Sequence, residues 1–126
     1  MTAWQLVKIL QNHLQFSQNY CGEVRDGKTK LGKRFFTTIE PKHGTTVAVY
    51  LQTRFQFWQR RVLDDTLKDG HALAVGDFLG TGGDQIVAGW RGMTTPGVPG
   101  VRLYVPQDDL YTKWKTYQLS GKETAV

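Results

Sequence analysis

The sequence predicts an all-β fold, and three observations support that prediction. Short apolar runs rich in β-branched and aromatic residues recur along the 126-residue chain, and such residues suit a pleated, half-buried sheet. Segments containing glycine, proline, asparagine and aspartate separate these runs at turn length. The runs also follow one another in an order that occurs twice. We therefore expect antiparallel meanders, accompanied at most by one short helix.

The second half of the chain carries the clearest strand pattern. Its first apolar run alternates Leu73, Val75 and Asp77 with small residues, as expected for a strand with two unlike faces. A glycine-rich turn follows, and glycine accepts positive φ at little steric cost, so the chain can reverse there. Four strands are expected, at His71 to Phe78, Gln85 to Trp90, Val101 to Val105 and Trp114 to Leu119.

The first half of the chain contains the same series in weaker form. Tyr50 and Tyr104 lie 54 positions apart, and Trp58 and Trp114 lie 56 apart. Four strands that recur over roughly 40 to 55 residues are typical of propeller blades. The recurrence of the two tryptophans favours packing between blades over sugar binding. Strands are expected at Phe35 to Glu40, Thr46 to Gln52 and Phe57 to Leu63, so that the chain forms a β-propeller fragment of about two four-stranded antiparallel blades.

This pattern divides the chain into three segments. Residues 1–32 are poorly defined, with a short amphipathic helix expected from about Thr2 to Phe16, followed by a loop or a degraded first strand between Glu23 and Gly32. Residues 33–63 form a partial upstream blade, and residues 64–126 form a second blade and a truncated crossing. Two blades cannot close a ring that normally takes four to eight. We therefore expect a fragment of a larger propeller, which meets further blades or copies of itself through open sheet edges.

The residues that carry these strands resemble a known family. The segment GDFLGTGGDQIVAG resembles the FG-GAP/VCBS repeat, whose turn usually reads D-x-D-G-D-G before an apolar strand. The segments FFTTIEPKHGTTVAVY and LKDGHALAVGD are similar to VCBS-type propellers related to fungal aldos-2-ulose dehydratases. The resemblance covers about Lys33 to Leu119. It implies a β-propeller fold with an oxygen-rich turn that binds calcium.

The resemblance places a calcium site at the turn from Asp77 to Asp84. Here the two middle acidic positions of the family turn have become Leu79 and Thr81, and the later acidic position is Gln85. Calcium takes six to eight oxygen ligands, so two carboxylates and a few carbonyls would bind it weakly. We expect this turn to be structural, with Asp77 accepting backbone N–H bonds. A weak calcium site at Asp77 and Asp84 is the alternative.

A second candidate site follows from the order of the strands. The start of the first strand and the end of the second lie at the same end of an antiparallel meander, so one rim is expected to bring together Glu40, His43, His71, Trp90 and Arg91. This set could bind a carboxylate, a divalent metal such as zinc through His43 and His71, or a sugar stacked on Trp90. In the alternative, the histidines bond to backbone and Glu40 forms an exposed ion pair with Arg91.

Composition excludes several classes of protein. The apolar and aromatic content is that of a globular domain, and no apolar run approaches the roughly 20 residues that span a bilayer. Cys21 is the single cysteine, so an internal disulfide is impossible. Residues 1–61 hold ten Lys or Arg against three Asp or Glu, but these cations are scattered over loops, which favours a solvated face over a nucleic-acid site. A secretory signal is not visible, and the sequence leaves the compartment open.

These observations favour a non-enzymatic module that binds a ligand such as a carbohydrate, or binds or scaffolds another protein. The main alternative is a piece of a metal-dependent dehydratase-like or lyase-like propeller enzyme acting on sugars, in which a metal at His43 and His71 acidifies a substrate proton next to a carbonyl. A third reading is a remnant with no function of its own.

Overall fold

The structure, a computed structural model, describes residues 22–41, 44–53, 57–92 and 99–120. These residues form two four-stranded antiparallel sheets, each with its strands in sequence order. The first sheet contains β1 (Glu23–Lys28), β2 (Arg34–Glu40), β3 (Thr46–Gln52) and β4 (Trp58–Asp64), and the second contains β5 (Gly70–Gly76), β6 (Gln85–Trp90), β7 (Gly100–Pro106) and β8 (Trp114–Ser120). The all-β prediction is confirmed, whereas the helix expected at Thr2 to Phe16 lies outside the described residues.

Strand β1 makes the first sheet a full meander that begins before the expected boundary at Lys33. It pairs with β2 over its whole length, from Glu23 opposite Ile39 to Lys28 opposite Arg34. Its sequence, EVRDGK, lacks apolar alternation because it is an edge strand with exposed charged side chains, and edge strands tolerate such residues.

The two sheets pack face to face around one shared core. Alternation along β2 and β3 directs one set of side chains toward the second sheet, and β6 contributes the matching set from the other side. Each fully buried aliphatic or aromatic side chain stabilises the fold by about 1.5–3 kcal/mol. The shared core comprises Phe35, Ile39, Val47, Val49, Leu51, Leu67, Leu73, Ile86, Ala88, Trp90, Tyr104 and Tyr111.

The crossing between the sheets is partly buried rather than exposed throughout. Asp65, Thr66 and Lys68 face solvent, but Leu67 is fully buried in the shared core. Its N–H donates to the carbonyl of Thr45 at 3.0 Å, and the N–H of Gly70 donates to the carbonyl of Gly44 at 2.8 Å. The crossing is therefore fixed to the first sheet before β5 begins.

The two sheets share more than their strand order. The β3–β4 pair shifts register between Val47 and Ala48, and the β7–β8 pair shifts register between Val101 and Arg102. Trp58 pairs with Gln52, and Trp114 pairs with Pro106. A β-bulge at the same place in both outer strand pairs gives both sheets the same local bend.

The surfaces that face away from the shared core, here called the far faces, differ between the sheets. The far face of the first sheet is covered at its centre, since Phe36 is 2% exposed and Thr38, Ala48 and Tyr50 are fully buried. On the far face of the second sheet, Leu103 at the centre is 9% exposed. The exposed apolar side chains of both far faces lie on the edge strands, with Val62 at 49% on β4 and Tyr117 and Leu119 at 41% and 55% on β8.

Candidate functional site

The glycine turn between β5 and β6 is organised by Asp77. One carboxylate oxygen accepts the N–H of Thr81 and the other accepts the N–H of Gly82, both at 2.9 Å. These backbone bonds hold the pKa of Asp77 below its usual value. Gly80 and Gly82 have φ of 69° and 93°, a conformation that favours residues without a Cβ. Asp77 therefore has the structural role expected from the sequence.

The oxygens of this turn converge on the side-chain amide of Gln85. Its Nε2 lies 2.8 Å from the carbonyl oxygen of Gly83, 2.9 Å from Oγ1 of Thr81 and 3.3 Å from Oδ1 of Asp77. Its Oε1 accepts the N–H of Leu79 at 3.0 Å. Gln85 is 1% exposed, so a buried amide at the centre of the turn holds it together by hydrogen bonds.

Asp84 faces the first sheet rather than the centre of the turn. Its Oδ2 accepts the N–H of Lys28 at 2.8 Å, and its own N–H donates to the carbonyl of Lys28 at 2.9 Å. The two carboxylates proposed as calcium ligands are thus engaged with different partners, Asp77 within its turn and Asp84 with β1.

Tyr111 completes this junction between the sheets. Its hydroxyl donates to the carbonyl of Asp84 at 2.9 Å, and its ring lies 5.4 Å from that of Phe35. Burial, with the nearby carboxylate of Asp84, raises the pKa of Tyr111 to about 12. A Cβ on Gly83 would lie 2.3 Å from the Tyr111 hydroxyl, so glycine is required by this close approach.

The rim proposed from the sequence separates into different environments. Glu40 is 3% exposed and lies on the far face of the first sheet. It accepts hydrogen bonds from Thr38 and Tyr50, and it forms an ion pair with Arg60 at 2.7 Å. Its ion-pair partner is therefore Arg60 and not the expected Arg91.

His71 and Arg91 are brought together, as the strand order predicted. A guanidinium nitrogen of Arg91 lies 2.7 Å from Nε2 of His71 on the exposed end of the second sheet. Trp90, next to Arg91, turns the other way into the shared core, where the guanidinium of Arg102 lies 4.6 Å from its ring centroid. Its indole is therefore a packing surface for Arg102.

Of the proposed metal pair, His43 and His71, the structure describes His71. His43 lies outside the described residues. The described parts of the chain contain no group of three or more His, Cys, Asp or Glu side chains placed to hold a metal ion.

A buried polar cluster that the sequence did not indicate links β4 to β7. Oδ2 of Asp64, whose side chain is 7% exposed, accepts hydrogen bonds from Arg102 and from the hydroxyl of Tyr104, each at 2.7 Å. Oδ1 accepts the N–H of Thr66 at 2.9 Å. Burial alone would raise the pKa of Asp64, but these bonds outweigh burial and lower it. Burial, and then the same carboxylate, raise the pKa of Tyr104.

A groove between the two sheets was also missed. It has a volume of about 280 Å³ and is lined by strand and loop residues from both halves of the chain, among them Leu31, Lys33, Gln52, Asp109 and Leu110. Leu31 and Leu110 are both largely exposed at its edge. These residues are separated by 79 positions at most in the sequence, and no local pattern joins them.

The far face of the second sheet carries an apolar surface that is open to solvent. A shallow trough of about 200 Å³ runs along β5 and β6, lined by Ala72, Leu73, Ala74, Val87, Gly89 and Val101. Beside the trough, β8 carries Tyr117 and Leu119, which are 41% and 55% exposed. An exposed apolar sheet face of this kind is a candidate interaction surface.

Comparison with known proteins adds no relative: no family model, no curated protein and no solved structure matches this chain. Among the described residues, no helix is long and apolar enough to cross a membrane.

Proposed function

We propose that this chain is a non-catalytic binding and scaffold module. Its two sheets serve as a rigid pair of propeller-like blades of the FG-GAP/VCBS type, and the far face of the second sheet docks a β-sheet of a protein partner. The shared strand order and the matching bulges at Val47 and Val101 support the description as blades.

One comparison between the sheets supports the docking surface. Val47 and Leu63 of the first sheet pack in or against the shared core, covered by the second sheet. The residues at the same positions of the second sheet are Val101 and Leu119, and both retain exposure to solvent. The first sheet thus shows what covers a face of this kind, which is another sheet. Sheets that pack face to face interdigitate side chains in this way.

A photo-crosslinking experiment in the native cell tests this proposal. p-Benzoyl-phenylalanine in place of Ala74, in the trough, is expected to give one defined protein adduct that mass spectrometry identifies. The same group in place of Gln107, an exposed residue of the β7–β8 turn, serves as the control and is expected to give none. Absence of an adduct at position 74, or equal adducts at both positions, would contradict the docking role.

The enzyme alternative depends on His43 and His71. It requires a divalent metal bound in stoichiometric amount to the purified protein and lost in the variant that carries both His43→Ala and His71→Ala. Elemental analysis of the wild-type protein and this variant separates the enzyme from the module, because the module needs no metal at these residues.

A further inference from the structure

We propose that the partner of the far face of the second sheet is a second copy of this chain, related by a two-fold axis that runs parallel to the strands and passes between β6 and β7. This inference rests on the proposed docking function and names its partner.

The difference between the two far faces restricts the symmetry. The far face of the second sheet, which corresponds in position to the core-facing side of the first sheet, keeps exposed apolar side chains, whereas the far face of the first sheet is closed at its centre by full burial of Thr38, Ala48 and Tyr50. Head-to-tail assembly needs two different open faces on each copy. Among the described residues, the far face of the first sheet exposes Val62 on its edge strand, at 49%, but its closed centre leaves no second open face for head-to-tail contact. The far face of the second sheet is then best covered by the same face of another copy. That is the isologous arrangement of a closed two-fold dimer.

The strand register divides this face into rows that cross the sheet. One row contains Ala74, Val87, Leu103 and Tyr117, since Ala74 pairs with Val87, Val87 with Leu103, and Leu103 with Tyr117. The next row begins at Ala72, continues through Gly89 and Val101, and ends beside Leu119. Each row therefore runs from small side chains on β5 to large side chains on β8.

A two-fold axis along the strands places each row of one copy over the same row of the other copy, in the reverse direction. Tyr117 of one copy then lies over Ala74 of the other, and Leu119 lies over Ala72. The protruding side chains of β8 enter the trough of the opposite copy, and the two contacts are identical by symmetry. An axis across the strands would instead set Tyr117 against Tyr117 and trough against trough, which leaves voids that close packing disfavours.

Charge follows the same arrangement. Lys115 pairs with Val105 at one end of the sheet, and Gly76 pairs with Gln85 at the same end, so the two-fold axis carries the ammonium group of Lys115 toward the end of β5 in the second copy. The residue after Gly76 is Asp77, whose carboxylate is exposed. The symmetric contact therefore places a cation near an anion at each end of the interface.

The size of the face predicts a weak dimer. Four strands spaced about 4.8 Å apart and about seven residues long cover roughly 440 Å² on each copy, or about 900 Å² for the pair. Stable interfaces bury about 1,600 Å², and weak or transient ones fall below about 1,200 Å². We therefore expect a dissociation constant on the order of 10–100 µM.

Sedimentation velocity of the full chain, from about 5 to about 500 µM, tests the dimer. The wild type is expected to pass from monomer to dimer over this range. Ala74→Arg and Tyr117→Glu are each expected to weaken association at least about tenfold, because each places an unpaired charge in the interface. The exposed control Gln107→Arg is expected to associate like the wild type. Circular dichroism and thermal melting establish that each variant is folded.

A mixture of the two variants gives the sharpest result. With the proposed axis, Arg at position 74 of one copy meets Glu at position 117 of the other, so the mixture is expected to form heterodimers although neither variant dimerises alone. A wild type that stays monomeric at about 500 µM, or variants that dimerise as it does, would overturn the inference. If the photo-crosslink at Ala74 captures a different protein, the docking function stands and the second copy is wrong; if there is no adduct, both fail.

Discussion

At the scale of single residues, one side chain, that of Gln85, makes several of the hydrogen bonds that hold the turn between β5 and β6. The two N–H groups of Gln85 Nε2 face three oxygens, and its Oε1 accepts the N–H of Leu79. Each such buried hydrogen bond contributes about 1 kcal/mol, and an unsatisfied partner costs more. The turn is thus held by hydrogen bonds from a neutral group at its centre.

Replacing this amide by a carboxylate tests that account. Gln85→Glu removes the Nε2 donor and sets a second carboxylate beside Asp77, so we expect the free energy of unfolding to fall by about 2 kcal/mol or more. Millimolar calcium is expected to restore much of this loss, since Asp77, Thr81, Gly83 and the new carboxylate all offer oxygen ligands. Thermal melting with and without calcium measures the effect. A Gln85→Glu variant as stable as the matched surface variant Gln107→Glu would contradict this account.

The buried carboxylate of Asp64 predicts a dependence of stability on pH. Its pKa is lower in the folded chain than in the unfolded chain, so its contribution is complete above the unfolded pKa of about 3.9 and is lost as the pH falls through the folded value. Asp77 and Asp108 share this direction. In urea unfolding of the wild type, the contribution of these carboxylates to the free energy of unfolding should therefore be constant near neutral pH and should decline below about pH 4.

The variant Asp64→Asn isolates this contribution. It keeps an acceptor oxygen but loses the charge opposite Arg102, and we expect it to be about 2 kcal/mol less stable than the wild type at neutral pH. Its stability should also fall less steeply between about pH 4 and pH 2. An unchanged acid slope in Asp64→Asn would show that Asp64 does not contribute to the pH dependence.

At the scale of elements, the sheets are joined where β1 meets the β5–β6 turn and the β7–β8 turn. Lys28 exchanges backbone and side-chain hydrogen bonds with Asp84, and Tyr111 packs between Phe35 and Trp114, whose rings lie 5.4 and 5.3 Å away. The indole of Trp114 also donates to the carbonyl of Tyr111 at 2.8 Å. An edge strand and a loop tyrosine thus connect elements that are far apart in the chain.

Two tyrosines provide a matched test of this junction. Tyr111→Ala removes a ring from the shared core and is expected to lower the free energy of unfolding by about 3–5 kcal/mol. Tyr117→Ala removes the same side chain from an exposed strand surface and is expected to cost less than about 1 kcal/mol. Chemical denaturation of both variants measures the difference. Equal losses would mean that Tyr111 is not a core residue.

At the scale of the whole molecule, the sequence predicted the strands better than the site. Period-two alternation and turn residues located seven of the eight strands, whereas β1 was obscured by its charged residues. The rim grouping considered only which end of a strand each residue occupies. Alternation turns Trp90 to the same side as Ile86, into the core, and places Glu40 on the opposite side from Ile39. Odd and even positions along each strand thus already indicated that Trp90 faces the core and that Glu40 faces away from it.

Other features of the molecule have no local signal. The hydrogen bond between Asp64 and Tyr104 spans 40 positions, and that between Lys28 and Asp84 spans 56. Such pairs exist only once the sheets are stacked. The same is true of the uncovered far face, because Val101 reads like Val47 in the sequence and differs only in what covers it.

The central claim is that the two sheets share one core and leave the far face of the second sheet open. Methyl relaxation by a soluble paramagnetic probe, measured by NMR on the dilute chain, tests it most directly. We expect strong attenuation of the methyl signals of Val87, Val101 and Leu119, and protection of those of Val47 and Val49, which are fully buried. Equal attenuation of both sets, or stronger attenuation of Val47 and Val49, would contradict the stacking of the sheets and the docking surface derived from it.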